Sequence, residues 1–270
     1  MTDFTHSERH STHYSNLHYL CAQMISKNQI KHIQSLHKAR GRKKARQFIV
    51  EGPKAVGELL KSDFKVNEVF ATEAWCAENT HLFPAVEQIS PRELERISNQ
   101  KQPNQVLAVV EMPEVNAAPA RIEGLYLVLD TIQDPGNLGT IIRIADWFGI
   151  NEVICSPDTA DLFNPKVVQS TMGSISRVRV SYTALPDWLE QVAGQVPVYG
   201  TLLSGDNIYN TDLSPKGLII IGNESKGISA DVAFYVSQSI KIPSYGASET
   251  ESLNAAVATG IVVAEFRRRI

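Results

Sequence analysis

The run Leu125-Tyr-Leu-Val-Leu129 is apolar at every position, without the in–out alternation of a strand that has one wet face. A strand of that kind must be covered on both sides, which predicts a central strand of a parallel sheet with helices on both faces. The segments around it repeat the signal. A helix is predicted near Leu138–Phe148, a strand over Glu152–Cys155 and a helix near Pro165–Met172. Further strands are expected over Val196–Gly200, Leu218–Ile221 and Ser239–Ile242, and a last helix over about Ser252–Arg268. Strand–helix alternation of this length implies an α/β architecture with a mostly parallel sheet. Leu253, Val257, Ile261 and Ala264 give the last helix an apolar face, but Ala256, Val262, Val263 and Phe266 spread that character around it. Such a helix should be buried on two sides, and a second subunit could supply one of them. The arginines that end it, Arg267 to Arg269, suit the negative end of its dipole.

The first part of the chain reads differently. Residues 1–18 are polar and rich in histidine, and suggest a loose tail. Residues 19–112 form a smaller α/β module: an amphipathic helix through Ile30, Ile33 and Leu36, a strand at Phe48–Val50, and a helix opened by Pro53. Two further strands, Val66–Ala71 and Val106–Val110, flank a short helix near Pro91–Ile97. Residues 113–121, with prolines at 113 and 119, form a linker, and 122–270 the second domain.

Net charge is −3, but it is unevenly placed. Between Lys27 and Lys54 lie nine Lys or Arg and a single acid, Glu51, so that stretch carries +8 and the remainder −11. A basic module joined to an acidic one is the pattern of a chain that meets a polyanion with one part only. Lys38-Ala-Arg-Gly-Arg-Lys-Lys-Ala-Arg46 reads as an exposed basic loop. Lys38, Arg40, Arg42, Lys43, Lys44 and Arg46 are therefore the candidate contacts to that polyanion, against the plainer alternative of a solvated helix face. Phosphate contacts of that kind give affinity without sequence choice.

Several classes are excluded. No apolar run nears the roughly 20 residues of a membrane span, and no secretory signal is visible at the N-terminus. Cys21, Cys76 and Cys155 are scattered, odd in number and without metal-ligand spacing, which fits a reducing cytoplasm. No metal is expected. No G-x-G-x-x-G follows a strand, Gly222–Gly227 lacks phosphate-loop spacing, and no histidine sits in the loops Asp130–Gly139, Gly222–Ile228 and Pro243–Asn254. A dehydrogenase, an NTPase and a serine hydrolase are all disfavoured.

Ligands of open α/β sheets bind beyond the carboxyl ends of the strands. Three loops there are rich in Gly, Pro and Asn: Asp130–Gly139, Gly222–Ile228 and Pro243–Asn254. These loops resemble the three motifs of the SpoU (TrmH-type) RNA 2′-O-methyltransferases of the SPOUT superfamily. The matching residues are Asn137-Leu-Gly-Thr-Ile-Ile-Arg143 through Gly149, then Ile220-Ile-Gly-Asn-Glu-Ser-Lys-Gly227, and Ile242-Pro243 followed by Ser252-Leu-Asn254. The stretch from Ile242 to Ser252 is about two residues longer than the family's usual spacing. Ser26–Leu60, with Phe48-Ile-Val-Glu-Gly52, resembles more loosely the family's L30e/L7Ae-like RNA-binding domain.

The resemblance implies a deep trefoil knot in the C-terminal domain and a homodimer binding S-adenosylmethionine. Its substrate would be a ribose 2′-hydroxyl of RNA, ribosomal in preference to transfer RNA. Asn137, Arg143, Glu224, Ser252 and Asn254 fall on catalytic positions. Gly222, Ile242 and Leu253 fall on cofactor-contacting positions, with Thr201 and Leu202 as neighbours.

Each residue has a plainer role to set beside this. Arg143 could pair with Asp146, Asn137 and Ser252 could cap helices, and Glu224 could organise its loop. From another class, the chain could be a non-catalytic RNA-binding or ribosome-assembly factor with a vestigial cofactor site. Heat on titration with S-adenosylmethionine separates the two.

Overall fold

The structure, a computed structural model, describes residues 24–79, 81, 85–114, 117–245 and 252–269. The N-terminal tail, Cys21 and the extra length before Ser252 lie outside the described residues.

The first unit is a four-stranded sheet in the order β1-β4-β2-β3, built from β1 (Gln47–Glu51), β2 (Val66–Ala71), β3 (Val86–Gln88) and β4 (Val106–Glu111). β4 is antiparallel to β1 and β2, and β2 is parallel to β3. Odd and even positions of β1 face different helices. Phe48 and Val50 pack with Val56 and Leu59 of α3 (Pro53–Leu60) and Trp75 of α4 (Glu73–Asn79). Ile49 packs with Ile30, Ile33 and Leu36 of α1 (Lys27–Leu36) and with Leu94 and Ile97 of α5 (Pro91–Ile97). Ser26 and Ser90 open α1 and α5 with reciprocal side-chain caps to Gln29 and Glu93.

Lys38–Arg46 is not a loop. Ala39–Ala45 forms a helix, α2, docked on the end of α1. Gly41 makes this approach possible, because a Cβ there would lie 2.0 Å from the Ser35 carbonyl oxygen. The run of like charges and the glycine had suggested a loop, whereas tertiary docking decides the helix.

The second unit is a six-stranded sheet in the order β10-β8-β9-β5-β6-β7, with every neighbouring pair parallel. Its strands are β5 (Leu125–Leu129), β6 (Glu152–Cys155), β7 (Arg179–Tyr182), β8 (Val198–Asn207), β9 (Gly217–Ile221) and β10 (Gln238–Lys241). Leu125, Leu127 and Leu129 face α6 (Pro135–Trp147), α7 (Pro165–Thr171) and α10 (Ala255–Arg268); Val128 faces α8 (Leu185–Val192) and α9 (Ala230–Ala233). Both faces are covered, as the uninterrupted apolar run required. The chain leaves β5 toward β6 and β7, then returns to build β8 and β9 on the other side. The order therefore reverses between β5 and β9, where a crevice opens at the carboxyl ends.

α10 departs from the sequence reading. Its buried face is Ala255, Ala256, Thr259, Val262, Val263 and Phe266, with Phe266 edge-on to Tyr199 at 4.8 Å. The predicted face is the one left outside: Val257 is 54% exposed and Leu253, just before the helix, 48%. Arg267 serves a neighbouring helix, donating to the carbonyls of Phe148 and Gly149 at the end of α6.

The units share one core. Phe48 of β1 meets Phe163 with ring centroids 4.7 Å apart. Two ionic ties flank this contact. Arg42 of α2 reaches Asp161 at 2.5 Å, and Arg177 joins Glu58 of α3 at 2.5 Å to Asp146 of α6 at 2.9 Å.

Candidate active site

At the reversal point, Leu129 lies opposite Ile221, and the Asp130 amide donates to the Ile221 carbonyl. Beyond these residues the loops tie themselves together. Buried Asp130 accepts from the Ser229 amide at 2.7 Å, and the Asn223 side chain donates to the Thr131 carbonyl at 2.8 Å. Thr131 sits at φ 63°, a left-handed conformation that costs a β-branched residue roughly 1–3 kcal/mol. Its amide is held by the Ser156 hydroxyl at 2.8 Å. Asp134 caps α6 by accepting from the Asn137 amide at 2.9 Å, and that bond holds its carboxyl below the usual carboxylate range. Asn137 is thus not the cap but the third residue of the helix, which aims its side chain into the crevice.

Three predicted residues meet there. The Asn254 carboxamide oxygen accepts from the amides of Ala256 and Val257, so it caps α10. Its nitrogen is left to donate, and it does so to the Asn137 oxygen at 2.9 Å. That fixes the Asn137 amide in turn, whose nitrogen donates to Glu224 Oε1 at 2.7 Å. The backbone of α10 therefore sets the orientation of both amides, and Glu224 is required as an acceptor. Capping and site geometry are one arrangement, not alternatives. Asn254 stands at the cap, one position before the helical turn where the sequence had placed it.

The other two catalytic candidates stand apart from this chain. Arg143 is exposed on the outer face of α6 and makes no hydrogen bond or ion pair among the described residues. Its suggested partner, Asp146, is taken by Arg177 and by the Ser174 hydroxyl at 2.7 Å. Ser252 is exposed and does not cap α10.

The cofactor candidates line up on the same sheet edge. Gly200 pairs with Ile220, so Thr201 follows beside Ile221, and its hydroxyl donates to the Ile220 carbonyl at 2.9 Å. Gly222 follows β9 and Ile242 follows β10, putting both at carboxyl ends of strands beside β8. Gly222 is demanded by its own loop: a Cβ would lie 2.3 Å from the Gly227 carbonyl carbon, inside the turn closed by Asn223 and Gly227. Leu202 and Ile242 are half-buried and Leu253 half-exposed. Half-covered apolar side chains beside exposed strand-end backbone fit a nucleoside-containing cofactor, which needs apolar walls and backbone hydrogen bonds.

Of the basic residues, Lys38, Arg40, Lys43, Lys44 and Arg46 are exposed. Arg42 is not: it is buried, donating to the carbonyls of Leu36 and His37 and pairing with Asp161. It belongs to the joint between the units, where its buried guanidinium is out of reach of an RNA phosphate. A charge run does not reveal which member turns inward.

Sequence reading also passed over Asp130, Asn223, Asp134 and Ser156, which hold the loops in register. All but Ser156 lie within the quoted loops, but nothing in their spacing says which polar residues face a ligand and which face another loop. Among the described residues no group of His, Cys, Asp and Glu could hold a metal, and no helix is long and apolar enough to cross a membrane.

A parallel α/β unit with a polar chain at its topological reversal, joined to a unit with an exposed basic face, defines a two-unit α/β protein with its ligand site at the carboxyl edge of the parallel sheet. A model described as the SpoU rRNA Methylase family matches residues 124–264, and one described as the MRM3-like substrate binding domain matches residues 27–108. The chain belongs to the SpoU rRNA methylase family. It is 35% identical over 246 residues to the 23S rRNA (guanosine(2553)-2′-O)-methyltransferase RlmP of Bacillus subtilis, covering 90% of this chain and 97% of that one. A TrmH-family structure from Porphyromonas gingivalis superposes with TM-score 0.83 at 38% identity, covering 92% of this chain and all of that one. An AdoMet-bound rRNA methyltransferase from Sinorhizobium meliloti superposes with TM-score 0.78 at 28% identity, covering 92% and 98%.

Proposed function

We propose that this protein methylates a ribose 2′-hydroxyl of ribosomal RNA in the cytoplasm, taking the methyl group from S-adenosylmethionine. The observation that carries this reading is the Asn254–Asn137–Glu224 chain, set at the sheet reversal beside the Thr201, Gly222 and Ile242 strand ends. Bound S-adenosylmethionine supplies a methyl group made electrophilic by its sulfonium, so the chain's own residues have mainly to align the acceptor. Alignment of this kind contributes roughly 7–11 kcal/mol.

In this reading, Gly222, Ile242 and Leu253 hold the cofactor, with Leu202 as an apolar wall and the Thr201 backbone at its edge. Asn137, oriented from both sides, and Glu224 position the ribose. Arg143 holds an RNA phosphate and steadies the charge developing on the 2′-oxygen, since a guanidinium does not give up its proton to act as a base. Ser252 meets the substrate from the loop before α10. Residues 122–270 perform the transfer, residues 19–112 grip RNA through Lys38, Arg40, Lys43, Lys44 and Arg46, and residues 113–121 join them.

The protein acts as a homodimer. Trp147 is 85% exposed on α6, and Val257 and Leu253 are 54% and 48% exposed at α10, so apolar side chains lie uncovered on both helices of a pair that packs where Gly260 meets Ile144. Uncovered apolar surface of this kind marks an association surface. A partner seated on it would also enclose the Arg143 side of the site. Arg143→Lys should lower turnover at unchanged RNA affinity if the fork of donors matters.

Mapping 2′-O-methylation in total RNA from cells with and without the protein tests the function. One ribosomal nucleotide should lose its mark. A lost mark in transfer RNA, or none, would overturn the assignment.

A further inference from the structure

A second opening lies between the two units. It is a crevice of about 200 Å³ lined by Ile49, Glu51, Asn99, Gln100, Pro165, Lys166 and Gln169. Pro165 gives it an apolar wall, with Ile49 buried behind, and Asn99, Gln100 and Gln169 surround this with carboxamides. None of the three carboxamides makes a hydrogen bond among the described residues, and Asn99 and Gln169 are exposed. Glu51 brings a carboxylate to the crevice, but both of its oxygens are engaged within the protein. One of its oxygens accepts from the Ser98 hydroxyl and the other from the Asn99 amide, which pins the 98–100 segment to β1.

The crevice is placed by Lys166. Its Nζ lies 3.4 Å from Asp134, the cap of α6, and its Cε lies 3.6 Å from where a Cβ on Gly136 would be. Asp134 in turn accepts from the amide of Asn137. The opening is therefore one side chain away from the Asn137–Glu224 pair, on the same carboxyl edge of the sheet. It is also walled by both units, whose relation is fixed by Arg42–Asp161 and Glu58–Arg177–Asp146.

Free carboxamides both donate and accept, so they match the polar edge of a base, and the half-buried Pro165 ring matches one of its faces. Lys166 would meet the accompanying phosphate. We infer that this crevice receives the unstacked base of a nucleotide flanking the methylated one, a subsite for RNA recognition separate from the charged face of α2. The inference rests on the proposed methylation of RNA at the Asn137 site.

The test uses the full-length protein and a ribosomal RNA fragment carrying the nucleotide it methylates. It also uses fragments whose base is removed at the nucleotide just 5′ or just 3′ of the target. Affinity by filter binding and single-turnover methyl transfer are both measured. One abasic fragment should bind the unaltered protein about tenfold more weakly or worse, the size expected for one base-edge contact. Asn99→Ala combined with Gln169→Ala should cost the intact fragment a similar factor and be indifferent to the missing base. Salt dependence should stay unchanged, because no phosphate contact is removed. Unaltered heat of S-adenosylmethionine binding shows that the variant is folded. If both proteins respond equally to the abasic fragments, or neither responds, the crevice is not a base subsite. If the unaltered protein methylates no RNA at all, the reading of the main site falls, and this inference with it.

Discussion

The exposed face of α2 and the carboxyl edge of the six-stranded sheet solve different problems with different chemistry. The α2 face is contiguous in sequence, charged and exposed; its side chains need only be near phosphates. The sheet edge is assembled from Asn137, Glu224 and Asn254, separated by 87 and 30 residues and locked amide to amide. A grip tolerates loose side chains, but alignment of a reacting oxygen does not. Arg42 marks the boundary between the two, since it sits within the grip's sequence yet serves the joint that holds grip and edge in relation.

The sharpest way to break this contrast is Asn137→Ala. It removes the middle of the amide chain, and methyl transfer should fall by about 100-fold or more, while RNA affinity stays within about twofold. Equal losses in both would mean that the edge binds rather than aligns. Gly222→Ala comes next. The added methyl must displace the Gly227 backbone, so S-adenosylmethionine affinity should drop by roughly tenfold or more in calorimetry, with RNA binding retained.

Arg42→Ala should act on stability instead. It leaves Asp161 without its partner and two carbonyls without a donor, at a cost of about 2–3 kcal/mol in urea unfolding, discounted because Asp161 is partly exposed. Lys43→Gln with Lys44→Gln should leave stability within about 0.5 kcal/mol. It should reduce the slope of log affinity against log salt by about 2 if both lysines meet phosphates.

The smallest effect concerns Glu265. Its bonds to Arg268 and then Arg269 hold the carboxyl down to about 2. A depressed folded value means that this contribution is complete above the ordinary carboxylate range and is lost as pH falls from about 4.5 toward 2. Glu265→Gln should flatten that acid limb of the unfolding profile, which urea melts at a series of pH values would show.

Much of this was legible beforehand, for identifiable reasons. Leu125–Leu129 announced a doubly covered strand because a strand with one wet face would alternate apolar and polar side chains. The three loops were grouped correctly because their motifs resemble a known family, not because spacing alone could bring residue 137 to residue 254. What stayed hidden were choices made by tertiary contact. Gly41 and Arg42 turned an apparent loop into a docked helix, Asp134 took the cap assigned to Asn137, and Arg177 took the partner suggested for Arg143. In α10 the sequence was apolar all round, so periodicity could not say which side the core would claim. Val257 and Leu253 were left outside.

The most direct test follows labelled methyl from S-adenosylmethionine onto ribosomal RNA taken from cells lacking the protein, with the product nucleoside read by mass spectrometry. The unaltered protein should yield a single 2′-O-methylnucleoside, and Asn137→Ala should yield almost none while giving the same heat on S-adenosylmethionine titration. Label on a base, or full transfer by Asn137→Ala, would contradict the account.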